Sequence, residues 1–187
     1  MWKFGSLTAS PFNWLEASYF YYRPSDLRWG PNNVRGFFLD KGFNVKFIYR
    51  SKRKSLPNIA IGLDDFAGTG YFTREYIVAT NQFNNTKFTA GMGWGKFISK
   101  NAFKNPLSEL SPSFLIRPVI SDNIKLGGSP SYDQWFRGDA TIFGGIEHSL
   151  SFARGLNLKL EYDPFDYLNF SANNRGDAIY ALRNKDS

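Results

Sequence analysis

The sequence predicts an all-β chain folded as an antiparallel up-and-down meander. Three observations carry this reading. Apolar residues recur with period two rather than 3.6 along most of the chain. The runs are strand-sized and separated by short polar or Gly-rich turns, and sequential strands joined in that way pair antiparallel. Tyr, Phe, Ile, Val and Thr, which fit a pleated surface, dominate the runs, and helical periodicity is scarce.

Taken in order, residues 14–22 read as the first strand, with Leu15, Ala17, Tyr19 and Tyr21 on its apolar face. Residues 42–50 place Phe43, Val45, Phe47 and Tyr49 on one face and Asn44, Lys46, Ile48 and Arg50 on the other. A polar turn, Ser51-Lys52-Arg53-Lys54-Ser55-Leu56, closes at Pro57. In residues 58–65, Ile59, Ile61 and Leu63 alternate with Asn58, Ala60, Gly62 and Asp64, and a Gly-rich turn follows. Residues 71–80 form the next strand, and residues 81–85 turn the chain. Phe88, Ala90, Met92 and Trp94 then alternate with Lys87, Thr89, Gly91 and Gly93. Residues 141–150 and 156–162 make a last hairpin, in which Leu156, Leu158, Leu160 and Tyr162 oppose Asn157, Lys159 and Glu161. The exception is a long loop, 97–138, with four prolines and the Gly127-Gly128 pair; it carries an expected short strand at 113–120. No linker divides the chain, so 1–187 reads as a single domain.

Composition narrows the function. The chain of 187 residues has 23 basic and 16 acidic side chains, a formal charge of +7. Apolar content of 42%, with 18% aromatics, is enough to order the chain. With no Cys, disulfide scaffolds, Cys-zinc sites and thiol catalysis are excluded; one imidazole, His148, makes no His cluster. No apolar run approaches the roughly 18–20 residues of a spanning helix, and the first residues lack the apolar core of a secretory signal.

The alternation fits two architectures. In a soluble sandwich or barrel the apolar faces point into a core. In an outer-membrane barrel they point to lipid and the polar faces line a lumen. Segments of eight to ten residues, and Tyr and Trp near strand ends, such as Trp14, Tyr49, Trp94 and Tyr162, suit the second. Strand preference of aromatics explains the same placement in the first.

Residues 40–95 carry a more specific signal. Asp40-Lys41-Gly42-Phe43-Asn44-Val45-Lys46-Phe47 is followed by Pro57-Asn58-Ile59-Ala60-Ile61-Gly62-Leu63-Asp64-Asp65-Phe66-Ala67-Gly68-Thr69-Gly70. Then come Glu75-Tyr76-Ile77-Val78-Ala79-Thr80 and Gly91-Met92-Gly93-Trp94-Gly95. In order and spacing these blocks resemble the YjbH family, with weaker matches at Trp14-Leu15-Glu16, Phe143-Gly144-Gly145-Ile146-Glu147 and Leu160-Glu161-Tyr162-Asp163. The resemblance implies an outer-membrane β-barrel protein, often a lipoprotein, that takes part in secretion or assembly of an exopolysaccharide or capsule; with no catalytic motif in the chain, the part expected of it is non-enzymatic. Family members are longer and many begin with a signal peptide and a lipid-bearing Cys. This chain shows neither, and its polar end, Arg183-Asn184-Lys185-Asp186-Ser187, offers no closing strand. The expectation is therefore a truncated start, an outer-membrane location and an incomplete barrel domain.

Candidate residues follow from parity. If Phe43, Val45, Phe47 and Tyr49 face lipid, then Lys46 and Arg50 face the lumen, and Lys87, Glu147, Lys159 and Glu161 do likewise. A net basic lining would hold an acidic polysaccharide by Coulomb attraction, weakened by salt; a neutral polysaccharide is the other expected partner. Trp135 and Phe136 of the long loop are candidates for stacking on sugar rings, or else for pinning the loop. Outer-membrane lipid and other export proteins complete the expected partners. Glu147 and Glu161 on one hairpin would suit glycoside hydrolysis only at a set separation; polar lining, with Lys159 beside both, is preferred. Asp64 and Asp65 read as turn formers rather than metal ligands, and His148 as a strand-face residue. The run Ser51-Lys52-Arg53-Lys54 reads as a solvated tip, or as a contact for anionic lipid headgroups at a barrel rim. No metal, no cofactor and no nucleic acid are expected, since no phosphate loop, nucleophile elbow or nucleic-acid module is present. The alternatives are a soluble all-β carbohydrate-binding module and, behind it, a polysaccharide-processing enzyme.

Overall fold

Period-two alternation becomes eight antiparallel strands in the computed structural model, which describes residues 3–23, 39–68, 70, 73–95, 101–118, 130, 132–153 and 155–164. The strands are β1 (Lys3–Phe12), β2 (Leu15–Arg23), β3 (Asp40–Tyr49), β4 (Asn58–Asp64), β5 (Arg74–Phe83), β6 (Thr86–Gly95), β7 (Thr141–Ser149) and β8 (Asn157–Tyr162). They lie in one sheet in sequence order, each paired antiparallel with the next. Among the described residues the helical pieces are two 3₁₀ turns, Pro106–Glu109 and Pro112–Phe114.

The meander is as expected. Among the described residues the sheet does not close on itself: β1 and β8 are its opposite edges. Three details differ. β1 has no counterpart in the sequence reading, because Gly5 and Pro11 spoil its alternation. It tolerates them as an edge strand with a register shift between Ala9 and Phe12. Residues 81–83 extend β5 rather than turning; only Asn84 and Asn85 turn, with Asn84 at φ 51°, a region Asn tolerates well. The strand expected at 113–120 is replaced, over its described part, by the 3₁₀ turn Pro112–Phe114, whose first turn is capped by Ser111. Residues 119 and 120 lie outside the described residues.

The sheet has two unlike ends. At one end β1–β2 and β5–β6 are joined by two residues each, and β3–β4 and β7–β8 by eight and seven. At the other, β2–β3 is joined by 16 residues, β4–β5 by nine and β6–β7 by 45. The strands are also staggered. Leu15, Phe47, Ile61, Ile77, Met92 and Ile142 make one row across five pairings. Leu15 opens β2 at the short-turn end, whereas Ile142 lies seven residues from Ser149, the short-turn end of β7. The row from Tyr49 through Ile59, Ala79, Ala90 and Gly144 to Tyr162 drifts by five. With about 3.3 Å per residue and about 4.8 Å between strands, these drifts tilt the strands roughly 35–45° from the perpendicular to a line through the short turns.

One face of this sheet is apolar across its whole width. It carries Leu7, Tyr19, Phe43, Phe47, Ile61, Ile77, Phe88, Ile142, Ile146, Leu158 and Leu160, all exposed, with Phe43 at 46% and Leu160 at 73%. Only Phe20, Leu63, Trp94, Ala140 and Pro164 are buried apolar side chains among the described residues. A soluble core would have needed Phe43, Val45, Ile59 and Ile61 dry; here Val45 is half-buried and the other three are open. Fully burying an exposed side chain of this kind contributes about 1.5–3 kcal/mol, and each of these forgoes the share that its exposed surface represents.

The opposite face is polar and tightly packed around glycines. Tyr76 lies over its cross-strand partner Gly62, and Phe143 over Gly91. A methyl group on either glycine would fall inside the facing ring. Gly62→Ala is therefore expected to destabilise by about 1–3 kcal/mol, read as a lower urea midpoint, whereas Gly5→Ala, with open space around it, should leave the midpoint unchanged.

Candidate functional site

The polar face is a ladder of charges held by strand register. Glu16 stands opposite Lys46, and their side chains meet at 2.6 Å. Asp64 stands opposite Arg74 and pairs with it. Lys87, Glu147 and Lys159 form one rung across β6, β7 and β8, with Lys87 Nζ 2.5 Å and Lys159 Nζ 3.9 Å from Glu147 Oε2. Glu161 lies on the same face, opposite Gly145. Between these rungs sit Tyr76, Phe143 and the hydroxyl pair Thr80–Thr89 at 3.3 Å.

Lys46, Lys87, Glu147, Lys159 and Glu161 thus share one face, as parity requires. Arg50 does not belong to it: it lies one residue past β3, and its Nε donates to the Asn13 carbonyl at 3.4 Å. The expected excess of base is also absent from this face. The strand residues of this face whose side chains are described offer Lys46, Arg74, Lys87 and Lys159 against Glu16, Asp64, Glu147 and Glu161, four of each sign. Glu147, held between two lysines, is a structural member of the ladder.

Trp135 turns toward the protein. It stacks on Phe66 at 5.2 Å and meets Tyr132 edge-on at 4.8 Å, which pins the long loop to the β4–β5 turn. Asp65 in that turn is buried at φ 57°, its N–H donating to Asn44 Oδ1. His148 lies on the apolar face at a strand end, its Nδ1 2.8 Å from the Thr86 hydroxyl. No group of three metal-ligating side chains occurs among the described residues, and no helix there is long and apolar enough to cross a membrane.

The most enclosed chemistry is a latch at the long-loop end. Glu75, fully buried, occupies an apolar-face position beside Leu63 and Trp94. Arg117 from the long loop grips it with both guanidinium nitrogens at 2.7 and 2.9 Å, and the Phe136 N–H adds a third donor at 3.0 Å. Phe136 then packs edge-on against Trp94, which is 1% exposed. Asn105 donates to the carbonyls of Phe114 and Phe136, and Gln134 accepts from the Thr73 hydroxyl. Gly95, at φ 68°, admits the guanidinium; a methyl group there would lie 2.9 Å from it. Sequence reasoning did not single out this latch, although one signal was present. Glu75 is an acid on the face that carries Ile77 and Ala79, and such an acid needs a buried partner.

A shallow depression of about 630 Å³ is lined chiefly by apolar-face residues, among them Ala79, Ala90, Gly144, Ile146, Leu160 and Tyr162. Small side chains between large ones create it, and its lining is mostly apolar.

Comparison with known proteins gives this face a context. A family model described as "Exopolysaccharide biosynthesis protein YbjH" matches residues 2–181. The chain is 33% identical over 172 residues to the protein of Escherichia coli (strain K12) named "Uncharacterized lipoprotein YjbH". That match covers 89% of this chain and 24% of the relative, so the chain spans about a quarter of the relative's length. No solved structure matches it. The order and spacing of the 40–95 blocks, the match along nearly the whole chain and the identity to this relative agree: the chain belongs to the YjbH family, linked to exopolysaccharide biosynthesis.

Proposed function

We propose that this chain is a section of an outer-membrane β-barrel that takes part, without catalysing a reaction, in secretion or assembly of an exopolysaccharide. The observation that carries this is the pair of unlike faces. The apolar face stays exposed across eight strands, and the ion-paired face opposite it is packed as a lumen wall would be. Short turns at one end, long loops at the other and a tilt of roughly 35–45° support the same reading. Lipid tolerates no unpaired sheet edge, so β1 and β8 pair with further strands, for which the longer relative has room. The lipoprotein name of the relative favours a membrane location.

On this reading the apolar face meets lipid and the ladder meets polysaccharide. Its balanced charge favours a neutral glycan, or neutral stretches of one, over retention of a strongly acidic chain. The test is fractionation of cells carrying the full-length protein, with boiled and unboiled outer-membrane samples on one gel. Heat-modifiable migration in that fraction is the expected result. A soluble protein, unchanged by boiling, would overturn the proposal in favour of a soluble glycan-binding module. Turnover of a polysaccharide, lost in Glu147→Gln or Glu161→Gln, would overturn its non-enzymatic part.

A further inference from the structure

The excess positive charge is not on the ladder; part of it gathers at one rim. Arg50, Lys52, Arg53 and Lys54 lie in the β3–β4 turn with no acidic residue among them, and none pairs with a carboxylate among the described residues. All four are exposed. The turn is held in shape from within. Ser51 N–H donates to Asn58 Oδ1 at 2.9 Å, Ser51 Oγ bonds the backbone of Arg53 in both directions, and Leu56 N–H donates to the Arg53 carbonyl.

The surroundings are apolar and aromatic. Trp14 stacks flat between Phe12 and Phe47, with interplanar angles of 3° and 7°. The Ile48 N–H donates to the Trp14 carbonyl at 2.8 Å, and Arg50 Nε to that of Asn13, so the neighbouring turn is bound to this one. Phe12, Trp14, Tyr49 and Leu56 are all more than half exposed. Arg50 therefore spends its Nε on the backbone and keeps two amino groups for a bidentate oxyanion.

We infer that this rim is a binding site for the phosphate headgroup of an anionic phospholipid, in the leaflet on the short-turn side. A cation cluster with aromatic side chains at the edge of an apolar face matches both parts of such a lipid, the charged head and the upper acyl chain. An inorganic polyanion such as polyphosphate would use the charges and leave the aromatic stack idle. The inference rests on the membrane reading above.

The test uses full-length protein reconstituted into phosphatidylcholine vesicles containing brominated phosphatidylglycerol or, in parallel, brominated phosphatidylcholine at the same fraction. Heat-modifiable migration is scored first on the same samples. Quenching of tryptophan fluorescence then reports local lipid. The quenchable contribution of Trp14 is isolated with Trp14→Phe. At low salt, enrichment of the anionic lipid beside Trp14 of about tenfold is expected, falling below about twofold in the quadruple variant Arg50→Gln/Lys52→Gln/Arg53→Gln/Lys54→Gln. Equal quenching by the two lipids, or enrichment unaltered in the quadruple variant, overturns the inference while heat modifiability leaves the barrel standing. Absence of heat modifiability overturns both. An acidic polysaccharide that abolishes the enrichment in the unmodified protein, binding the rim more tightly than the lipid does, also overturns it.

Discussion

Arg117→Ala is expected to release the long loop and to lower stability by about 3–5 kcal/mol, the cost of leaving a buried carboxylate without its cation. Glu75 is fully buried, and two of its three donors come from Arg117. The third, the Phe136 N–H, is carried by the same loop, so loss of the guanidinium loosens it as well. At 1.4 kcal/mol per tenfold, the equilibrium for local opening rises by at least a hundredfold. Limited proteolysis of the refolded full-length protein, with cleavage mapped within residues 101–118, reads this directly. Arg117→Lys should recover only part of the loss, since an ammonium cannot reproduce the bidentate grip. The double variant Glu75→Leu/Arg117→Leu should be more stable than Arg117→Ala, because no orphaned charge remains. Equal proteolysis of Arg117→Ala and the unmodified protein would show that the latch does not hold the loop.

The second large effect is expected at Val45. It stands mid-strand in the row Ala9–Ala17–Val45–Leu63, with its side chain on the apolar face. A lysine there should cost roughly 2–4 kcal/mol if that face meets the bilayer interior, and assembly of the full-length protein should fail. Its neighbour Lys46 points the other way and pairs with Glu16 near the surface. Removing a half-exposed pair costs about 0–1 kcal/mol, so Lys46→Ala should assemble normally and alter only passage or retention of polysaccharide. Heat-modifiable protein in the outer-membrane fraction is the measure for both. Assembly of Val45→Lys at the unmodified level would mean that this face stands in water, and the lipid assignment would fall.

Alternation is a local property, and it was legible. A period of two separates the residues of a strand onto two faces whatever covers them, so Phe43, Val45 and Phe47 on one side and Lys46 on the other needed no coordinates. Short polar turns made the order of pairing legible too, because adjacent antiparallel strands are the short solution to such connections. The family resemblance in residues 40–95 rested on the same local spacing.

Local pattern thus suffices for an antiparallel meander with an apolar face, a charged face and a family. Tertiary structure decided the rest, because each remaining feature depends on residues far apart in the chain. The shared Glu147 of Lys87 and Lys159 depends on register across three strands. The grip of Arg117 on Glu75 spans 42 residues. Arg50 left the face for a neighbouring turn 37 residues away. β1 formed despite Pro11, since Pro11 falls in the register shift between Ala9 and Phe12 and so outside the regular ladder with β2. Propensity and period act within a few residues, whereas burial of a charge, the stagger of a sheet and the separation of its two edges are fixed only when distant strands meet.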